Sequence, residues 1–555
     1  MRKYIFLILL IIKSGSLFSQ NHTVGWFIND STKSFEAYTL FAPITYNKTY
    51  LIDNCGKEVH NWISDYTSSA GVYLLEDGTL LRSGKILNHN FIIGGQGGII
   101  ERHDWDSNLL WSYRIESDSV TSHHDFKYLA NGNILLLIWK HYLINELIEL
   151  GRNPDITGSD MSMEEIWEIK PIGTDSAAII WQWKAEDHLI QDFDAAKPNY
   201  GNPSEHSELI SFNYIGTGPP ERSWLHFNSI DFDEETDQIL ISVRNFHEIW
   251  IIDHSTTTEE AAGHSGGLYG KGGDLLFRWG NPAAYNRGTA ENQKLFSQHN
   301  AQRIKNSLPD ENKIMIFNNG LNRPQGNYSS VDIIVPETDI DGNYLLGPDN
   351  TFLPDTFFHQ ITTNNPSNLY TQAMGSAQRL VNGNTLICEA NSGRILEIEP
   401  NNNEVVFEYI NPVDNNGPVA QGTELSGTNS IFQAIKYSPD FSGFNGHELL
   451  PGNPIEINPL NYDCGSTVSS VKEKLTEKSF EIFPNPANRF LRIKSSYETK
   501  FSAKFILTDV IGTINININV NKNQNIDVSS LKNGFYFVTI YTENKEFTYK
   551  IIINH

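Results

Sequence analysis

Cysteine is nearly missing from this 555-residue chain, which has only Cys55, Cys388 and Cys464. Their wide spacing fits no zinc-ligating pattern, and an odd number leaves at least one thiol outside any intramolecular disulfide. Long apolar runs are missing as well. Beyond the first twenty residues no stretch reaches the roughly 18 apolar residues of a membrane-spanning helix, so no transmembrane segment is expected in the mature chain. Positive charge is also short: 41 Lys and Arg stand against 66 Asp and Glu, a net charge of −25. Residues 465–555 carry a surplus of four positive charges, which leaves −29 on residues 1–464. Such a surface repels phosphates, excludes nucleic acid as a partner, and requires any anion site to hold its own local cation.

What the chain does have is turns and aromatic residues. Forty-one glycines and 12% aromatic content point to an all-β architecture. The first twenty residues, "MRKYIFLILLIIKSGSLFSQ", read as an export signal. Arg2 and Lys3 give the basic start, Tyr4–Ile12 the apolar stretch, and small residues near Ser19 a cleavage point.

One unit returns along the chain: an alternating strand, a tight Asn, Asp or Gly turn, and a second apolar strand. Counted seven residues back from the turn, Ala70, His124, His226, His299 and Gly375 share one register, and a degenerate sixth copy lies at 428–441. A second hairpin type alternates with the first, usually ending in Trp or Tyr, as in "YLIDNCGKEVHNW", "EIWEIKPIGTDSAAIIWQW" and "SSVDIIVPETDIDGNYLL". Four strands per unit in six units between residues 45 and 441 predict a six-bladed β-propeller, with an irregular β-sandwich as the alternative. The excess length around 184–223 predicts a surface insertion, and the loops at 184–223 and 254–298 are expected to shape the entrance to any site.

In a propeller, residues at one register of successive blades converge on the central channel. His124, His226 and His299 lie in three different blades. Any one alone reads as a structural hydrogen-bonder at a strand start, whereas three in register read as a shared site at the channel mouth. Two chemistries suit them: a three-imidazole zinc or copper centre, or an oxyanion site with one imidazole as nucleophile. Asn228, on the strand face of His226, and Arg244, on the returning strand, favour the second, because a guanidinium is a fixed cationic fork and not a metal ligand. The set holds no designated carboxylate base, although Asp125 is available to orient a ring. Strict alternation would turn His123 to the opposite face, so His124 is the first choice and His123 the fallback.

Taken together, "HHDFKYLANGN", "WLHFNSIDFD…ILISVRN", "IIDHSTTTEEAAGHSGGLYGKGGDLLFRWGNP", "FSQHNAQ" and "IFNNGLNRP…YSSVD" resemble the bacterial aryl-sulfate sulfotransferases that use no nucleotide sulfate donor. The resemblance covers most of residues 45–460. It implies a six-bladed propeller that moves a sulfuryl group from an aryl sulfate donor to a phenolic acceptor through a sulfated histidine. It makes His299 the nucleophile and has His226, Asn228 and Arg244 grip the sulfuryl oxygens, with His124 beside them. No metal and no diffusible cofactor are implied. The strands begin soon after the signal, so a dimerising domain ahead of the propeller has no counterpart here. The rival readings are a non-catalytic propeller that binds a ligand or glycan, and a His-ligated metalloenzyme.

Three other motifs read as turns and loops. "GGLYGKGG" has Ser265 and Gly272 where a phosphate loop needs Gly and Ser or Thr. "GGQGGII" lacks the third glycine of a dinucleotide fingerprint. "DFDEETDQ" offers Asp231 and Asp233 but puts Thr236 at a calcium loop's glycine position and Ser242 at its final glutamate. Behind a polar linker at 465–478, residues 479–555 form a small β-sandwich. Its "FPNPANRFLRI" and "LKNGFYFVTIYTENKEFTYKIII" resemble the C-terminal sorting domain of type IX secretion in Bacteroidetes. This implies engagement of the secretion machinery, passage across the outer membrane, and release or surface attachment. The expected organisation is a signal at 1–20, a propeller at 21–464, the linker, and the sorting domain.

Overall fold

Apolar strands joined by Asn-Gly and Asp-Gly turns fold here into six antiparallel sheets arranged as the blades of a propeller. The computed structural model describes residues 22–91, 94–217, 223–460, 464, 480–495, 502–509, 513–521, 524–541 and 546–555. The export signal at 1–20 and the linker at 465–478 lie outside the described residues. The chain divides into two compact units, Met1–Gly465 and Ser466–His555. In the first, the innermost strands of blades 1 to 6 are Ile431–Tyr437, Ser68–Leu74, Val120–Tyr128, Phe227–Asp233, His299–Arg303 and Ser376–Arg379. Each packs against the next around a closed ring, and the sixth meets the first.

Both ends of the propeller segment take part in closure. Ile431–Tyr437 pairs with Tyr38–Pro43, so the last strand of the propeller completes the first blade from inside. Gly25–Asn29 adds a fifth, outermost strand to blade 6. Six hydrophobic clusters fill the six interfaces between adjacent blades. Both faces of most strands are therefore buried, and strands such as Ile134–Leu143 and Gln238–Val243 read as near-continuous apolar runs. Polar ties stitch the same interfaces. Lys127 Nζ donates to Asp231 Oδ1 at 2.6 Å, and Arg303 approaches Asp233 at 3.1 Å, so "DFDEETDQ" serves inter-blade pairing.

The structure departs from the sequence expectation in three places. The outer strand of blade 5 is His359–Ile361 and not the "DGNYLL" stretch, which makes only isolated bridges and leaves Ile340 exposed. The 184–223 segment is not wholly superficial, because Leu189, Ile210 and Phe212 are buried in the core between blades 3 and 4. The start of the 254–298 loop lies along the outermost strand of blade 3, where Trp181 Nε1 donates to Thr256 and Trp183 Nε1 to the Gly273 carbonyl, and so does not frame the channel.

The second unit has two sheets. One holds Phe480–Phe483, Phe490–Ser495 and Asn525–Asp527; the other holds Ile514–Asn521, Ser502–Asp509, Gly534–Tyr541 and Glu546–Ile553. Leu491, Phe505, Val538 and Ile551 are among the buried residues of its own core. No helix among the described residues is long and apolar enough to cross a membrane.

Cys55, in the turn between two strands of blade 1, is bonded to Cys464, and Cys388 is buried and free. The bond ties the chain beyond blade 6 back to the first blade across 409 residues. Cys464→Ser should lower the unfolding free energy by about 2–4 kcal/mol in denaturant titrations, and a reductant should cost the wild type as much. An unchanged midpoint would mean that the bond adds nothing to ring closure.

Candidate active site

The inner strands do not run straight into the channel mouth; they bulge there. In blade 2 the pairing slips between Ser68 and Val72, and in blade 3 between Ser122 and Phe126. It slips again between Phe227 and Ser229 in blade 4, and between His299 and Gln302 in blade 5. A bulge re-aims side chains that alternation would send to opposite faces. Left-handed backbone accompanies these slips at His124, His226, Ser297 and Asn300 and recurs at Met374 ahead of the inner strand of blade 6, with φ between 46° and 60°. Such a conformation costs non-glycine residues about 1–3 kcal/mol, and it persists where packing over-determines it.

His123 and His124 consequently lie together. Their Nδ1 atoms are 2.9 Å apart, and the His123 ring stacks on Trp139 at 4.1 Å. The expectation that His123 faces away fails because the bulge breaks the alternation. The His124 ring is 4.6 Å from that of His226. Gly95 makes room for it: a Cβ there would lie 2.1 Å from His124 Nε2, and the Gly95 carbonyl accepts from the His124 amide at 2.7 Å. The glycine of "GGQGG" is thus a seat for an imidazole.

His299 begins its strand in blade 5. Its Nε2 accepts the Met374 backbone N–H at 3.0 Å, so the ring proton sits on Nδ1, donating to Asn319 Oδ1 at 2.7 Å. Asn319 in turn donates to the Thr371 and Met374 carbonyls, holding that segment over the ring. Asn228 donates to the Gln298 carbonyl at 2.8 Å, and its Oδ1 has no partner among the described residues. Arg244 Nη1 donates to Asn245 Oδ1, and its charge acts on His124, His226, His247 and His299.

Burial depresses every imidazole in this group, and the Arg244 charge adds to it at His124, His226, His247 and His299. His124 and His247 are brought down to about 3, and His123, His226 and His299 well below the usual range. All five are neutral at physiological pH. Beneath them Glu164 accepts the His226 amide N–H at 2.6 Å and Trp139 Nε1–H at 3.3 Å. Burial pushes its carboxyl from 4.5 to about 8, so it too is uncharged. Arg244 is therefore the cation of a site whose other groups are polar and neutral. Asp125 points elsewhere: it accepts from the Tyr73 hydroxyl at 2.7 Å.

Of the residues expected from the sequence, His124 and His226 are in ring contact. His299 and Arg244 are joined to them by electrostatic coupling, and Asn228 is held against the strand of His299. Sequence reasoning passed over His247, which accepts the Ser297 N–H at 2.8 Å, along with Glu164, Trp139 and Asn319. Asn319 stood in "IFNNGLNRP" and Glu164 as an acid in the apolar strand "MSMEEIWEIK". Met374 acts through its backbone and left no trace in the sequence.

These features define a six-bladed propeller whose channel mouth carries neutral imidazoles around one guanidinium. The chain belongs to the arylsulfotransferase (ASST) family, whose model matches residues 30–339. Residues 481–554 match the secretion system C-terminal sorting domain, that of type IX secretion, which directs export to the cell surface or release. No curated protein matches the chain. Solved structures with similar folds include a protein of unknown function from Bacteroides caccae (10% identity, 72% of this chain and 98% of that one, TM-score 0.39). They also include the Pseudomonas aeruginosa periplasmic gluconolactonase PpgL (9% identity, 73% and 99%, TM-score 0.34). A third is the β-propeller domain of Myceliophteria thermophila Cps50 (Swd1) (8% identity, 71% and 87%, TM-score 0.31).

The two kinds of buried group oppose each other in stability. Below the ordinary histidine value of 6.5, the unfolded chain binds protons that the five depressed histidines refuse. Their contribution is complete above about pH 6.5 and is lost as pH falls towards the depressed values. Glu164 keeps its proton up to about pH 8 while the unfolded chain loses it near 4.5, so its contribution is complete below 4.5 and is lost as pH rises through 8. Thermal denaturation between pH 4 and 9 should give a dome, and Glu164→Gln should remove much of the alkaline fall while leaving the acid fall in place.

Proposed function

We propose that the channel mouth transfers a sulfuryl group from an aryl sulfate ester to a phenolic acceptor in two displacements, with His299 as the nucleophile. The observation that carries this reading is the tautomer of His299. Its proton is held on Nδ1 by Asn319, which leaves the Nε2 lone pair as the reactive one. In the first displacement Nε2 attacks sulfur and forms an N–S bond while the S–O bond to the aryl group breaks, releasing a phenolate. In the second, the acceptor enters as its phenolate, its oxygen attacks the same sulfur and the N–S bond breaks, returning neutral His299. The proton the acceptor gives up balances the one taken up by the phenolate released first. Covalent division of this kind predicts ping-pong kinetics.

Charge spreads over the sulfuryl oxygens as it does in phosphoryl transfer, so fixed donors matter more than acid–base groups. Arg244 supplies the cation, and His124, His226 and the second N–H of Asn228 the neutral donors. The Met374 N–H now occupies the Nε2 lone pair, so attack requires that contact to open. The freed N–H then becomes a further donor to the incoming oxygens. Because the histidines are already neutral well below pH 6.5, the acid limb of kcat/KM should lie well below the ordinary imidazole range.

A chromogenic aryl sulfate with a phenolic acceptor tests the reaction. The expected result is acceptor-dependent release of phenol, loss of turnover in His299→Ala, and a sulfuryl adduct on the His299 peptide by mass spectrometry when acceptor is withheld. Release that needs no acceptor would make the protein a sulfatase, and full activity in His299→Ala would move the nucleophile elsewhere. Gly95→Ala should cost about 100-fold in kcat/KM with the fold intact, since it displaces the His124 ring by an ångström or more.

A further inference from the structure

The loop that returns from Glu248–Asp253 to Leu275–Trp279 in blade 4 carries a second cluster of chemistry-bearing groups, remote in topology from the channel strands. Its sequence, "HSTTTEEAAGHSGGLYGKGGD", turns through a short helix, Thr258–Ala261, capped by Thr257, and then doubles back. Gly273 permits the closest approach: a Cβ there would meet the Ala261 carbonyl oxygen at 2.1 Å and His188 Nε2 at 2.6 Å. The doubling brings His264 and Asp274 together against His188, which follows the outermost strand of blade 3, Ser176–Lys184.

The hydrogen-bond geometry of this trio does not balance with a neutral His188 facing an ionised Asp274. His188 Nε2 lies 2.8 Å from the Ala261 carbonyl oxygen. A carbonyl only accepts, so Nε2 carries the ring proton. The Nδ1 of a neutral His188 then presents a lone pair to Asp274 Oδ1, 2.9 Å away, and a carboxylate oxygen is also an acceptor. His264 Nδ1 approaches that same oxygen at 2.8 Å. A proton or a metal ion has to stand between His188 Nδ1 and Asp274 Oδ1, and the three atoms all lie within 4.8 Å of one another. His188 and Asp274 are buried, and the side chain of His264, 60% exposed, closes the trio from the solvent side.

The surroundings are those of a metal-ligating imidazole. Such a ring donates its second N–H to a carbonyl or carboxylate, which fixes the tautomer and turns the other nitrogen to the metal. Here Ala261 plays that part. Trp183 stacks on His188 at 7° between planes and donates Nε1–H to the Gly273 carbonyl at 2.7 Å, so the ring and the loop are held by one side chain. We propose that His188 Nδ1, His264 Nδ1 and Asp274 Oδ1 bind one divalent transition-metal ion. Two imidazoles and a carboxylate suit zinc, with water completing the shell beside His264. The ion pins the glycine-rich loop of blade 4 to the edge of blade 3 and takes no part in the channel chemistry.

The test uses the full mature chain, stripped with a chelator and reloaded with zinc alone, with His264→Ala as the main variant because its side chain is exposed and its loss spares the core. The wild type should hold one zinc per chain after dialysis and gain thermal stability on zinc addition. His264→Ala should bind at least about tenfold more weakly, show no such gain, and retain sulfuryl transfer. Asp274→Asn should behave alike. A wild type that retains no zinc and whose Tm does not respond would mean that protons alone fill the cluster, which overturns the proposal. So would a His264→Ala variant that binds zinc as tightly as the wild type.

Discussion

The pairing of Ile431–Tyr437 with Tyr38–Pro43 is the contact on which the remaining structure depends. Each blade is apolar on both faces, so none can be stable without two neighbours, and the six inter-blade cores exist only if the ring is complete. A ring closed by strand pairing across nearly four hundred residues pays its loop entropy once and then gains every interface together. The Cys55–Cys464 bond and the fifth strand of blade 6 reinforce the same seam from outside. Closure also makes the site, since His124, His226 and His299 come from three blades and meet only in the assembled ring.

Most of the architecture could be read from the repeat. All six innermost strands overlap the segments that share the turn-anchored register, with His226 and Gly375 one residue ahead of their strands, because a residue's depth in a blade follows from its distance to the hairpin turn. The outer strand of blade 5 escaped, since its partner in sequence, the "DGNYLL" stretch, has the alternation of a strand but lies at the surface. Short pairing of the real strand, His359–Ile361, leaves little pattern to detect. The buried part of the 184–223 segment escaped for another reason. Its apolar residues are scattered among Pro, Asn and Asp, and only the core between blades 3 and 4 gives them a common surface.

The site was legible as residue types and less so as geometry. Register brought out three histidines, and their neighbours Asn228 and Arg244 followed. Bulges cannot be read from alternation, so the pairing of His123 with His124 was hidden, although the two are adjacent in sequence. Backbone groups were hidden altogether: the Met374 N–H on His299 depends on a left-handed residue in a blade outside the stretch matched by the family model.

Neutrality is what unites the site. A carboxylate near Arg244 would pair with the guanidinium and cancel the local cation that an anionic ester needs on a chain carrying −25. Protonated imidazoles would add positive charge but would remove the lone pair on which the proposed attack by His299 relies. Burial resolves both problems at once, because it penalises any ionised form: the imidazoles stay unprotonated and Glu164, the nearest acid beneath His226, stays protonated. Only the guanidinium, too basic to surrender its proton, keeps its charge under the same penalty. The same burial that completes the inter-blade cores therefore sets the protonation states at the channel mouth, and stability and reactivity rest on one physical cause.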